Sequence, residues 1–117
     1  MIDFFKLPVE QIVAFQSAGA WTAEVACGRG DAHIHVVKMN AGGTIGPHAA
    51  GSSQLFLVML GTGWLEGKNG RVELAAGQGA FVSRGEMHSK GASSELTALI
   101  VQVSELAANE SVGLTQA

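Results

Sequence analysis

The sequence is short of cysteine and of charge, and each shortage excludes a class of protein. Its single cysteine, Cys27, can form neither an internal disulfide nor a cysteine-based zinc site. As a lone thiol it is expected to behave as a small buried hydrophobe. Charged residues make up 15% of the chain and apolar residues 47%. This balance is too apolar for a disordered chain and predicts a globular protein.

Long apolar runs and clusters of basic residues are also missing. The longest unbroken apolar run covers residues 55–60, far fewer than the roughly 20 residues that cross a bilayer. The seven Lys and Arg residues are scattered and the net charge is −3, so no basic stripe faces a row of phosphates. We therefore expect neither a membrane nor a nucleic acid as a partner.

The first residues lack the features of a secretory signal. Asp3 stands where such a signal carries positive charge, and no long apolar segment follows it. A cytoplasmic location is therefore expected.

Glycine is abundant, with 16 residues, whereas proline occurs twice. The glycines separate short apolar stretches, a pattern typical of short β-strands joined by tight turns. A length of 117 residues predicts a single domain over residues 1–117. The even spacing predicts an all-β barrel or sandwich. Its strands are expected at residues 21–27, 33–39, 54–60, 64–66, 72–74, 79–83 and 96–103.

The segments between and beyond these strands predict turns and tails. Residues 28–31 and 67–70 are each expected to form a hairpin turn. Residues 4–15 fit a helix or an edge strand equally well. Residues 104–117 have little β-branching, which predicts a short helical or frayed tail after a core of about 21–103.

A first spaced pattern of glycine and histidine begins at Gly42. Five residues lead to His48, one to Ala50, three to Gln54 and six to Gly61. This pattern resembles the first motif of the cupin family. Where this chain has Ala50 and Gln54, the family motif has a second histidine and a glutamate.

A second pattern begins at Gly77, and fifteen residues separate it from Gly61. Five residues lead to Ser83, one to Gly85, two to His88 and three to Ala92. It is similar to the second cupin motif, with Ser83 and Ala92 in place of a proline and an asparagine. The resemblance covers residues 42–92 and implies a small single-domain cupin, an all-β jelly-roll barrel.

The resemblance also implies a divalent metal inside the barrel. Cupins hold it through two His and one Glu of the first motif and one His of the second. Carried over position by position, the ligands here are His48, Gln54 and His88, and Ala50 provides no donor. Such ligands suit Zn, Fe, Ni or Mn. A neutral amide in place of a carboxylate leaves no protein charge to oppose the dication, so weak binding is expected.

Two further histidines are candidates for the missing ligand. His33 and His35 are two residues apart on a predicted strand and so share one face. If that face points outward they are ordinary exposed residues, because Ile34 and Val36 offer an apolar alternative for the inner face.

The apolar lining of the barrel follows from strand alternation. Phe56 and Val58 share the face of Gln54, and Phe81 is expected to point inward as well. Each of these side chains fits simple core packing as well as a ligand cavity. The complete predicted pocket consists of His48, Gln54, Phe56, Val58, Phe81 and His88.

Three functions remain open from the sequence. The first is a cupin that binds a small molecule at a partly degenerate metal site, with catalysis unproven. The second is a metal-dependent isomerase, lyase or dioxygenase that acts on a small organic acid or sugar. The third is a structural or interaction module without a ligand. Fold alone does not decide between them.

Association into a homodimer is expected from the strand at 54–60. Leu55, Leu57 and Met59 form an apolar face opposite to the barrel side, and this face needs a cover. The N-terminal residues 2–15 could cover part of it. Closed two-fold symmetry is the commonest assembly, and a stable interface buries on the order of 1,200 Å².

Overall fold

The computed structural model describes residues 1–116 and consists there of strands and turns, with no helix. The strands are β1 Ile2–Lys6, β2 Glu10–Gln11, β3 Trp21–Thr22, β4 Ala26–Met39, β5 Thr44–Ala49, β6 Ser53–Leu60, β7 Thr62–Gly67, β8 Gly70–Ala75, β9 Gln78–Val82, β10 Met87–Ala92, β11 Leu96–Ala108 and β12 Thr115–Gln116.

The strands form two antiparallel sheets that pack face to face. One sheet has the order β12-β1-β9-β6-β11-β4 and the other the order β5-β10-β7-β8, while β2 and β3 form a separate pair. Buried side chains such as Phe56 and Leu65 fill the space between the sheets. The predicted all-β jelly-roll fold is confirmed. None of the described residues belongs to a helix that could cross a bilayer.

The hairpin turn predicted at residues 28–31 is wrong. The segment lies inside β4, which pairs with β11 along its length except for a register shift between Val103 and Glu105. Gly28 allows β4 to pack closely against β11, because a Cβ at this position would lie 2.7 Å from the Glu105 carbonyl oxygen. Cys27, expected to be buried, is exposed on the same strand.

The helical or frayed tail predicted from residue 104 is also wrong for the described residues. β11 continues to Ala108 because it remains paired with β4, and β12 pairs with β1 through Phe4 and Thr115. Pairing with a neighbouring strand therefore outweighs the weak β-propensity of this segment. Ala117 lies outside the described residues. At the other end of the chain, residues 4–15 contain no helix, and β1 covers only the first three of them and pairs on both sides, with β12 and β9, so the edge strand predicted there is not found.

The outer face of the six-stranded sheet is only partly covered. Leu55 and Leu57 are buried there in a cluster with Phe5 of β1 and with Val112, which lies shortly before β12. At the edge of the same sheet, two side chains of β4 remain open, with Ile34 68% and Val36 67% exposed.

The outer face of the four-stranded sheet carries a buried tryptophan. Trp64 on β7 lies directly opposite Gly91 on β10. A Cβ at residue 91 would overlap the indole ring, so only glycine fits there. The Arg71 guanidinium lies 3.6 Å from the centre of the same ring and covers its other side.

Candidate functional site

The two histidines of the cupin-like motifs lie side by side. Strands β5 and β10 pair so that His48 stands directly opposite His88. Their ring centroids are 4.5 Å apart, with a tilt of 55° between the ring planes. Both strands were missed in the strand predictions, because their glycine, serine and charged residues hide the apolar alternation. The motif spacing located the histidines nevertheless.

Backbone carbonyls fix the orientation of both rings. His48 Nδ1 lies 2.8 Å from the Gly46 oxygen, and His88 Nδ1 lies 3.1 Å from the Glu86 oxygen. A carbonyl oxygen can only accept, so both Nδ1 atoms carry a hydrogen. In the neutral rings each Nε2 is therefore a hydrogen-bond acceptor that points away from these carbonyls.

A buried lysine, which sequence reasoning missed, joins the two motifs. Lys90 Nζ lies 2.9 Å from Gln54 Oε1 and 2.9 Å from His88 Nε2. The lysine is 1% exposed, and both of its partners are 2% exposed. The ammonium group donates to both atoms, and the centre of the Phe56 ring lies 5.5 Å away. Strand alternation was the available signal, since residues 88 and 90 share a face.

Burial controls the charge states of this cluster. Burial lowers the pKa of Lys90 to about 8, so the ammonium form still predominates at neutral pH. Burial also lowers the pKa of His88 to about 4, helped by the charge of Lys90, while the hydrogen bond to Glu86 opposes the shift. The cluster therefore holds a neutral imidazole, a neutral amide and one positive charge at neutral pH.

This donor set does not fit a divalent metal. His88 Nε2 and Gln54 Oε1, two of the three predicted ligand atoms, already accept hydrogen bonds from Lys90. The ammonium would also repel a dication at this position. Among residues 1–116, no three His, Cys, Asp or Glu side chains come close enough to share a metal. Ala50, the vacant ligand position, is buried in the core between the sheets.

The alternative histidines face the barrel side of the six-stranded sheet. His33 is opposite Gln102 across β4 and β11, and Gln102 is opposite Gln54 across β11 and β6. Directly opposed residues point to the same side, so His33 and His35 share the side of Gln54. Both are exposed at the sheet edge. The outward orientation weighed from the sequence is therefore wrong, whereas the exposure expected with it is found.

The predicted apolar lining divides between the two faces of the sheet. Phe56 and Val58 point toward the barrel interior as predicted, and both are completely buried in the core. The inward orientation predicted for Phe81 is wrong. Its register with Leu55 places it on the outer face, where its ring centroid lies 5.2 Å from that of Phe5. Of the six predicted pocket residues, His48 is the exposed one at the cluster.

Comparison with known families agrees with this architecture. The family described as the AraC-like ligand-binding domain matches residues 35–115, which is well over half of the chain and includes the whole histidine and lysine cluster. The chain belongs to this family. It is thus a ligand-binding domain of the cupin superfamily, as the two motifs implied.

Solved structures resemble the AraC-like domain at low sequence identity. A conserved Streptococcus pyogenes protein of unknown function is 24% identical with a TM-score of 0.60, over 64% of this chain and 66% of that one. A cupin-2 domain protein from Shewanella frigidimarina is 21% identical with a TM-score of 0.56, over 75% and 85%. A cupin superfamily protein from Desulfitobacterium hafniense is 14% identical with a TM-score of 0.60, over 84% and 94%.

These similarities establish the fold of the AraC-like domain. The chain covers slightly less than two thirds of the streptococcal protein, so part of that protein has no counterpart in the match. A search among functionally curated proteins finds no match. The chemistry of the site therefore has to be argued from its own residues.

Proposed function

We propose that this domain binds a small molecule at the mouth of the barrel, beside His48, and does so without a resident metal ion. The observation that carries the proposal is the position of Lys90 Nζ, 2.9 Å from both Gln54 Oε1 and His88 Nε2. The lysine supplies a fixed positive charge at the point where the motif resemblance places a metal. A metal-dependent reaction would require this ammonium group to leave the cluster.

The exposed surface at the cluster supports a site at the mouth. His48 is exposed, whereas its neighbour His88 is buried. The Nδ1–H group of His48 is held by the Gly46 carbonyl, which leaves Nε2 for a ligand. The interior below, at Phe56 and Val58, is closed by side-chain packing. A ligand therefore binds above this packed layer.

Ligand binding at His48 is testable by NMR. A library of small metabolites is screened against protein labelled in the histidine rings, in the presence of a chelator. We expect hits that shift the His48 ring signals, and we expect His48→Ala to weaken their binding by at least ten-fold. The matched control is Gln11→Ala, which shortens an exposed side chain in the separate pair of strands β2 and β3. Hits that bind His48→Ala as tightly as the native chain would contradict the proposal.

We further propose that two copies of the chain associate through the edge of the six-stranded sheet. The face around Leu55 is covered by the terminal segments, so the exposed side chains Ile34 and Val36 on the edge strand β4 support the dimer instead. A two-fold axis beside His35 would place Ile34 of each copy opposite Val36 of the other. Such pairing would also satisfy the open backbone groups of the edge.

The cytoplasmic location stays a prediction.

Placing lysine at the two exposed positions should separate the copies. We expect the native chain to have a dimeric mass by light scattering at micromolar concentration, and Ile34→Lys with Val36→Lys to have a monomeric mass. Val9→Lys with Val13→Lys introduces the same two charges at side chains that are 56% and 85% exposed elsewhere, and it should leave the dimer intact. A monomeric native chain would refute the association.

A further inference from the structure

We infer that the ligand of this site is a small hydroxy acid, whose carboxylate is selected by the buried charge of Lys90 and whose hydroxyl group donates to His48. The inference rests on the proposed function and specifies the class of ligand. It follows from the unbalanced charge of the cluster and from the hydrogen-bonding state of the exposed histidine.

Lys90 is a buried cation without a counter-anion among the described residues. Its partners, Gln54 Oε1 and His88 Nε2, are both neutral. The ion pairs of the described chain lie elsewhere, between the Met1 amino group and Glu86 and between Arg71 and Glu66. A buried charge without a counter-charge is costly, so an anionic ligand nearby would stabilise the site.

The geometry of the cluster directs this charge toward the mouth. Lys90 contacts the His88 ring, and the His88 ring lies against the exposed His48 ring. A ligand at His48 is therefore separated from the ammonium group by little more than one imidazole. Coulomb attraction acts across such a distance without direct contact. The site therefore favours an anion over a neutral molecule of the same shape.

The second requirement on the ligand comes from His48. The Nδ1–H group donates to Gly46, so Nε2 of the neutral ring accepts a hydrogen bond. A carboxylate has no hydrogen to give and cannot satisfy this atom alone. An ammonium group could donate, but the charge of Lys90 would repel it. A hydroxyl group next to the carboxylate meets both requirements.

Three probes of nearly equal size separate the two requirements. Lactate has both groups, lactamide lacks the charge, and propionate lacks the hydroxyl group. Binding is measured from the shifts of the labelled histidine ring signals during titration. With the native chain we expect lactate to bind at least ten-fold more tightly than lactamide, and at least five-fold more tightly than propionate.

Two sets of variants assign each preference to its residue. Lys90→Met should remove the preference for lactate over lactamide, whereas Lys68→Met deletes a lysine in the exposed β7–β8 turn and should retain it. If Lys90→Met does not fold, Gln54→Glu serves the same purpose, because it gives the ammonium group an internal carboxylate at hydrogen-bond distance. His48→Ala should remove the preference for lactate over propionate.

The outcomes separate this inference from the proposed function. Equal binding of lactate and lactamide, or a preference that survives both Lys90→Met and Gln54→Glu, would overturn the role of Lys90. Absence of binding by all three probes would overturn the hydroxy-acid class, while the proposed function would stand if other library members still shift His48. If no library member shifts His48, both conclusions fall.

Discussion

Removal of Lys90 together with repair of the first motif should convert the cluster into a metal site. We expect the triple variant Ala50→His, Gln54→Glu and Lys90→Ala to bind Zn²⁺ at a ratio of one ion per chain. The variant would offer four ligands, namely His48, His88, a third imidazole and one carboxylate. It would also lack the ammonium group that now donates hydrogen bonds to Gln54 Oε1 and His88 Nε2. Elemental analysis after chelator dialysis and calorimetric titration measure the result.

The informative control retains the lysine. In the double variant Ala50→His and Gln54→Glu, Lys90 can form an ion pair with the new carboxylate, and it competes with the metal for the same oxygen. We expect Zn²⁺ to bind this variant at least 100-fold more weakly than the triple variant, a difference of about 2.7 kcal/mol. Equal affinity of the two variants would show that Lys90 moves aside freely and does not hold the cation position.

Replacement of Gly61 by alanine should strongly destabilise the domain. Gly61 has a φ angle of +81°, and a Cβ there would overlap the backbone carbonyl of Glu95. Backbone cannot give way as a flexible side chain can, so the cost combines strain with a steric clash. We expect the free energy of unfolding to fall by about 3 kcal/mol or more, measured by urea denaturation.

The glycine that opens the second motif offers a matched control. Gly77 has nearly the same φ angle, +85°, but no atom lies within 4 Å of a Cβ built there. Gly77→Ala should therefore cost only the conformational strain, about 1 kcal/mol. If the two variants were equally stable, the contact with Glu95 would not be the reason for glycine at residue 61.

The motif spacing predicted the fold and the histidine pair through its resemblance to the cupin motifs. Glycines with positive φ angles, such as Gly61 and Gly77, end and begin strands at fixed intervals. These intervals also fix the positions of His48 and His88 on two neighbouring strands. The spacing is informative because backbone conformation and strand length impose it.

The role of Lys90 could not be predicted from the motifs, since its position lies between the defined residues of the second pattern. In the sequence it is one of seven dispersed basic residues. Its burial depends on the pairing of β10 with β5 on one side and β7 on the other, which places it between Ile45 and Leu65. Strand alternation places Lys90 on the face of His88, but its burial follows from long-range pairing that the local sequence does not reveal.

The prediction for the orientation of Phe81 was wrong for a related reason. A bulky aromatic residue was expected inside the barrel, but the register of β9 with β1 and β6 points Ala80 and Val82 inward and Phe81 outward. A shift of one residue would exchange the two faces, and only the pairing partners fix it. The terminal strand β1, whose Phe5 packs against Phe81 on this outer face, is far away in sequence, so the outer face of β9 cannot be recognised locally.

Because Trp64 packs closely against Gly91, its intrinsic fluorescence can report on the neighbouring cluster. The only other tryptophan, Trp21, is 60% exposed on the small separate strand pair, so the two indoles emit from a dry and a wet environment. Gly91 is the chain neighbour of Lys90, so a shift of the β10 backbone at the cluster would also move the backbone beneath the buried indole. In the Trp21→Phe variant, fluorescence would come from Trp64 alone. It would report changes at His88 and Lys90, which lie on the opposite face of the sheet.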